Sequence, residues 1–137
     1  MSSVDLSKYK SLFISESQEH LDAMTQNLLD LERDPNNSEC IEELFRHAHS
    51  IKGMASSMGY GPIETLSHRL EDMMDDIRKG RAKANSETID TLLGGHDSLE
   101  KWVHEVDEAA EPVFAGSDEI IEALLLFQPA DRQDQGR

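Results

Sequence analysis

Two short runs of the sequence hold side chains whose types and spacing could do chemistry together. The first contains His49, Lys52 and Gly53, and the second contains His68 and Glu71. A histidine near a carboxylate can act as a nucleophile, because the carboxylate fixes one ring nitrogen and leaves the other free. The combination predicts a histidine that accepts a phosphoryl group. No single member predicts it, since a lone histidine, lysine or glutamate is most simply a solvated surface residue.

The first run falls in a segment with helical periodicity. At about 100° per residue, His49, Lys52, Gly53 and Ser56 share one flank, at the edge between the apolar stripe and water. His47 falls on the opposite flank, so the two histidines cannot share a function on one face. Gly53 puts no side chain beside His49, which would let a partner approach closely. We therefore expect Gly53 and Ser56 to lie where a partner docks.

The second run lies on the following helix. His68, Glu71 and Asp75 share a flank that is offset from the apolar stripe in the same rotational sense. When two neighbouring helices run antiparallel, flanks that are offset in the same rotational sense can either face one shared groove or both point away from it. We expect convergence, because Glu71 could then accept a hydrogen bond from His49.

Each residue of the predicted groove then has a role. Glu71 would fix the tautomer of His49 and raise the basicity of its free nitrogen. Lys52 would offset the charge of an attached phosphoryl group as a point cation. His68 would hydrogen-bond within this network and modulate Glu71.

Composition limits the classes of function. The chain has 137 residues, with 28 acidic against 13 basic side chains and a net charge of −15. Such a surface repels nucleic acids and anionic membranes. It suits a partner with basic patches, and it equally suits solubility alone. With one cysteine, Cys40, neither an intrachain disulfide nor a cysteine metal cluster can form. The N-terminus has no basic start followed by an apolar run, which predicts a cytoplasmic protein.

Three other classes of protein compete with this interpretation. A metal-binding bundle is disfavoured, because no histidine follows an acidic residue at the Glu-x-x-His spacing and no His-Glu-x-x-His motif occurs. A self-sufficient enzyme is disfavoured, because the sequence has no phosphate-cradling glycine loop, nucleophile elbow or kinase motif set. An inert adaptor bundle stays open, and phosphorylation of His49 is what separates it from a carrier. We accordingly expect no metal and no cofactor in this chain.

The apolar pattern predicts an all-α fold, an antiparallel four-helix bundle with an additional short fifth helix. A first helix is expected from about Leu6 to Leu31, a second capped by Ser38, and a third with Pro62 in its first turn. Asn85 or Ser86 would cap the fourth. The inward-facing residues are expected to be Phe13, Leu21, Met24, Leu28 and Leu31; Ile41, Leu44, Phe45, Ala48, Ile51, Ala55 and Met58; Ile63, Leu66, Leu70, Met73, Met74 and Ile77; and Ile89, Leu92, Leu93, His96, Leu99, Trp102, Val103 and Val106.

The second half of the chain carries further local predictions. Gly94 and Gly95 interrupt the fourth helix, which predicts a bend or a close helix crossing. Ser117 would cap the fifth helix, whose inward residues are expected to be Ile120, Ile121, Leu124, Leu125 and Phe127. Residues 1–127 would form one domain, and the polar residues 128–137 the disordered start of an interdomain linker.

The remaining histidines are expected to have no site. His20, His47 and His104 would be solvated, as exposed histidines on an acidic helix usually are. His96 lies on an apolar stripe, which predicts a core or helix-crossing residue rather than a ligand.

The motif residues resemble a known family. The run His49-Ser50-Ile51-Lys52-Gly53, with the small residue Ala55, is similar to the signature of histidine phosphotransfer (HPt) domains. Leu44-Phe45-Arg46 before it and Ser67-His68-Arg69-Leu70-Glu71 after it resemble the phosphotransfer domains of chemotaxis histidine kinases. The likeness covers about the first 110 residues. His47 departs from it, because a small residue is more usual there, and Gly94-Gly95 is unusual in a fourth helix.

The resemblance implies a function and partners. His49 would be phosphorylated by the ATP-binding kinase domain of the same protein, acting in trans within a dimer. The phosphoryl group would then pass to an aspartate of a response-regulator receiver domain. ATP and Mg²⁺ would be bound by the separate kinase domain. Lys52, His68 and Glu71 fall on the family's network positions and Gly53 on its glycine. We expect the isolated chain to be a monomer and a carrier that is no enzyme by itself.

Overall fold

The computed structural model describes residues 3–127. They form five helices, which confirms the all-α class. The helices are α1 (Ser3–Arg33), α2 (Ser38–Met58), α3 (Gly61–Arg78), α4 (Ser86–Glu108) and α5 (Ser117–Leu126). Helices α1 to α4 pack in a ring, and α5 lies against α3. The predicted linker, residues 128–137, lies outside the described residues. Among the described helices, none is long and apolar enough to cross a bilayer.

The core follows the predicted stripes closely. Every predicted inward residue of α1 and α3 is buried. In α2 and α4, Phe45, Met58 and Leu93 are only partly buried, because they lie at the edges of their stripes and pack on the rim of the core. This rim matters for function, since Phe45 is one helical turn before His49.

Two predicted helix caps are wrong. Asn37, not Ser38, caps α2, and its side chain accepts a hydrogen bond from the backbone N–H of Cys40. Ser117 is the first residue of α5, and Gly116 precedes it with a φ of 79° and no side-chain cap. The prediction for α4 is confirmed, because Asn85 accepts from the backbone N–H of Thr88.

The fifth helix buries less than predicted. Leu124 is buried, while Leu125 is 56% exposed, so its predicted inward position is wrong. The reason is that α5 has one principal neighbour, α3, which can cover only a narrow face of α5. Arg69 of α3 holds it there by donating hydrogen bonds to the carbonyl oxygens of Leu124 at 2.9 Å and Phe127 at 3.1 Å.

The glycine pair in α4 marks a close crossing at its second member. A Cβ atom built on Gly95 would lie 2.7 Å from Cδ2 of Leu70, whereas one built on Gly94 would meet nothing within 4 Å. Leu70 is fully buried, so its side chain has little room to move. The glycine at position 95 therefore lets α4 approach α3.

This difference predicts that the same substitution has different effects on stability at two neighbouring positions. We expect Gly94→Ala to raise the free energy of unfolding by up to about 1 kcal/mol, through helix propensity. We expect Gly95→Ala to be less stable than Gly94→Ala by about 1–3 kcal/mol, the usual cost of overpacking a core. Urea unfolding of the two variants measures the difference, and equal stabilities would contradict the close crossing.

Candidate functional site

His49 and Glu71 meet across the contact between α2 and α3. The Nδ1 atom of His49 is hydrogen-bonded to Oε2 of Glu71. The His49 side chain is 64% exposed, whereas that of Glu71 is only 9% exposed. The predicted convergence of the two flanks is therefore present, with the carboxylate at the floor of the groove and the imidazole at its rim.

Lys52 completes the floor of the groove. Its Nζ atom donates to Oε1 of Glu71 at 2.7 Å, so both carboxylate oxygens of Glu71 have a partner. Burial acts to raise the pKa of Glu71, but the hydrogen bonds from Lys52 and His49 outweigh it and the pKa is lowered. Glu71 is therefore ionised at neutral pH.

The ionised carboxylate fixes the tautomer of His49. A carboxylate can only accept hydrogen bonds, so the proton between Glu71 and His49 belongs to Nδ1. In the neutral ring, Nε2 then carries the lone pair. No described residue forms a hydrogen bond with Nε2 of His49, and the ring is largely exposed. The arrangement presents a nucleophilic nitrogen to an incoming group.

Phe45, which the apolar pattern places in the core stripe of α2, supports the imidazole instead. The ring of Phe45 stacks on that of His49, with centroids 6.3 Å apart and planes 10° from parallel. The guanidinium of Arg78 lies 4.0 Å from the centre of the Phe45 ring. Phe45, Arg46, His49, Ser50 and Glu71 line a surface cavity of about 370 Å³. The one-turn spacing between Phe45 and His49 is the sequence signal that could have revealed this contact.

The prediction that His68 hydrogen-bonds within the network is wrong for the described structure. Its Nε2 atom lies 3.7 Å from Oδ1 of Asp72, and its side chain is 59% exposed. Both oxygens of Glu71 are already engaged by His49 and Lys52, which leaves His68 beside the network. The nearest ligand atoms of His68, Glu71 and Asp72 all lie within 4.8 Å of one another, so an indirect effect on Glu71 is sterically possible.

Asp75, which shares the sequence flank of Glu71, is drawn to other partners. It forms ion pairs with Arg78, with Lys79 at 3.1 Å and with Arg81 at 3.2 Å. These cations near the end of α3 keep Asp75 out of the groove.

The two predicted docking residues lie on open surface. Gly53 and Ser56 are exposed, about one and two turns after His49 on α2. A Cβ atom built on Gly53 would meet nothing within 4 Å, so the bundle itself does not require glycine there. Their role in docking stays a prediction.

The other four histidines lie in three different environments. His96 is buried, as predicted, and its Nε2 atom donates to the carbonyl oxygen of Leu21 at 2.8 Å. His104 is exposed, as predicted. The prediction that His20 and His47 are solvated is wrong, because they are half-buried between α1 and α2 with their Nδ1 atoms 2.9 Å apart.

This chain is similar in sequence and in fold to proteins of a known family. Residues 8–111 match the family model of the Hpt domain. The chemotaxis protein CheA of Listeria monocytogenes is 32% identical over 90% of this chain, and the CheA of Bacillus subtilis is 37% identical over 79%. The chain spans only 20% and 16% of the lengths of these two curated relatives.

Solved structures give the same result. The CheA phosphotransferase domain from Thermotoga maritima superposes with a TM-score of 0.72 at 33% identity, covering 78% of this chain and 99% of that one. The phosphorylated P1 domain of CheA3, in complex with CheY6 from R. sphaeroides, superposes with a TM-score of 0.77 at 25% identity, covering 86% and 93%. The family model covers most of the helical bundle, and the bundle presents a histidine hydrogen-bonded to a buried carboxylate, so the chain belongs to the Hpt domain family.

Proposed function

We propose that this chain is the phosphotransfer domain of a chemotaxis-type histidine kinase. His49 accepts the γ-phosphoryl group of ATP from the kinase domain and passes it to an aspartate of a receiver domain. The observation that carries the proposal is the state of His49, whose Nδ1 is held by Glu71 while Nε2 faces solvent.

In this proposal both transfer steps use the same nitrogen, Nε2 of His49. In the first, the lone pair of Nε2 attacks the γ-phosphorus, the bond to the bridging oxygen breaks, and ADP leaves. The ring gains positive charge while Nδ1 keeps its proton, and the ionised Glu71 stabilises that charge. In the second, a carboxylate oxygen of the receiver attacks phosphorus and the N–P bond breaks. Its electron pair returns to Nε2, which restores the starting tautomer.

The relatives support the partners in this scheme. One solved neighbour is a phosphorylated P1 domain of CheA3 bound to CheY6, so a domain with this fold carries phosphate and meets a second protein. For this chain we propose a receiver domain as the acceptor and an ATP-binding kinase domain of the same protein, acting in trans, as the donor. ATP and Mg²⁺ bind to that kinase domain in the cytoplasm, and the isolated chain is a monomeric carrier with no catalytic activity alone.

The proposed dependence on a separate kinase domain leads to a direct prediction about the isolated chain. We expect the isolated chain to give no saturable heat on titration with Mg·ATP and to take up no radiolabel from γ-labelled ATP. Adding the kinase domain should label the chain, and adding a receiver should then remove the label. Micromolar ATP binding by the chain alone, or labelling without the kinase domain, would contradict the proposal. A chain that stays unlabelled with its kinase domain would point to the inert adaptor.

A further inference from the structure

We propose that His20 and His47 form a binding site for a divalent transition metal ion, with Cu²⁺ and Ni²⁺ as the best-fitting ions. The site lies at the contact between α1 and α2, on the opposite flank of α2 from His49. It goes beyond phosphotransfer and does not depend on it.

The geometry of the two rings carries this inference. His20 comes from α1 and His47 from α2, and their Nδ1 atoms lie 2.9 Å apart with the ring planes at 57°. Two neutral imidazoles at this distance share a single proton, with one nitrogen donating and the other accepting. When the donating ring carries its proton on Nε2 instead, both Nδ1 lone pairs are free and face each other between the helices, where one ion can accept both.

The separation of the nitrogens favours particular ions. With metal–nitrogen bonds of roughly 2.0–2.1 Å, a 2.9 Å separation corresponds to an angle of about 90° at the metal. Square-planar and octahedral ions have ligands at this angle, whereas tetrahedral Zn²⁺ needs a wider one. Cu²⁺ and Ni²⁺ take nitrogen and oxygen ligands in tetragonal geometry, and Cu²⁺ binds most tightly of the first-row ions. Water would complete the coordination.

The charges around the pair include one that favours a bound cation. Glu43 adds a negative charge one turn earlier on α2 and is held by Asn27, whose Nδ2 donates to it at 2.7 Å. The positive charge of the Arg46 guanidinium acts in the opposite direction. The net charge of −15 favours cations over the whole surface.

A second cluster of possible metal ligands can be compared with the histidine pair. His68, Glu71 and Asp72 have ligand atoms within 4.8 Å of one another and could also attract a metal ion. Glu71, however, is engaged at one oxygen by His49 and at the other by Lys52, so an ion there would have to displace an ion pair. We therefore expect the histidine pair to fill first.

Titration of the untagged chain with Cu²⁺ or Ni²⁺ at pH 7.5 tests the site. We expect one equivalent to bind, and the electron paramagnetic resonance spectrum of the Cu²⁺ complex to show coupling to two imidazole nitrogens. His20→Asn and His47→Asn should each weaken binding at least tenfold and lose one nitrogen coupling. The matched controls, His68→Asn and His104→Asn, remove exposed histidines and should bind like the parent chain.

Two further readouts keep the result interpretable. Because the ion would bridge two helices of the folded state, Ni²⁺ should raise the Tm of the parent chain and leave that of both site variants unchanged. Circular dichroism without metal checks that the site variants are folded. Loss of binding in His68→Asn, or parent-like affinity in either site variant, would overturn the proposal. So would binding with only one coupled nitrogen.

Discussion

We expect His49→Gln to abolish phosphorylation of the chain by its kinase domain. Glutamine keeps a polar side chain of similar reach but has no nitrogen lone pair that can attack phosphorus, so no residual transfer is expected. The fold should be unaffected, because the His49 side chain is 64% exposed. Incorporation of radiolabel that is acid-labile and alkali-stable, followed by mass spectrometry of the labelled peptide, measures the effect.

His47→Gln is the matched control, two residues away on the same helix. His47 faces His20 rather than Glu71, so no carboxylate fixes its tautomer or supports charge on a phosphorylated ring. We expect this variant to be labelled at the parent rate. Phosphate mapped to His47, or label retained in His49→Gln, would refute the assignment of the acceptor.

The contact between His49 and Glu71 could be predicted from the sequence, but helical periodicity supplies only part of that prediction. Rotation around each helix places both residues on flanks of the same sense, which allows them to converge or to diverge. The outcome depends on the relative rotation and axial offset of two helices, which no single-helix pattern contains. Here the structure shows convergence, with Lys52 on the same carboxylate.

Most features that periodicity does not reveal involve contacts across helices. Phe45 belongs to the predicted core stripe, yet its ring lies at the rim, where it stacks on His49 of the same helix and contacts the guanidinium of Arg78 from α3. His20 directly precedes the buried Leu21, so a small rotation of α1 decides whether its ring faces water or α2. The distance between the His20 and His47 rings is set by tertiary packing.

The fifth helix shows where an apolar pattern misleads. Its residues read as a strongly apolar face, but a helix buries only what its neighbours can cover. With α3 as its principal neighbour, Leu125 and Leu126 stay 56% and 71% exposed. The helices of the ring each have at least two neighbours, and there the predicted stripes match the buried residues well.

We expect Glu71→Ala to slow phosphorylation of His49 by roughly 10- to 100-fold, the range typical of losing a carboxylate that orients a histidine ligand. Without Glu71 the Nδ1 proton has no acceptor, so both tautomers are populated and the charge on the phosphorylated ring has no partner. Lys52 also loses its ion pair. Helicity should change little, because the core stripe of α3 is untouched.

The control for this effect is Asp72→Ala. Asp72 is the next residue of α3, but it is exposed and lies 3.7 Å from His68 rather than on His49. Removing it lowers the local negative charge by the same amount and should leave the rate near that of the parent. Nitrogen-15 NMR of the His49 ring separates a positioning role from a general loss of structure, since Glu71→Ala should shift Nδ1 and Nε2 toward averaged values while Asp72→Ala should not. Equal rates for the two variants would remove Glu71 from the transfer step.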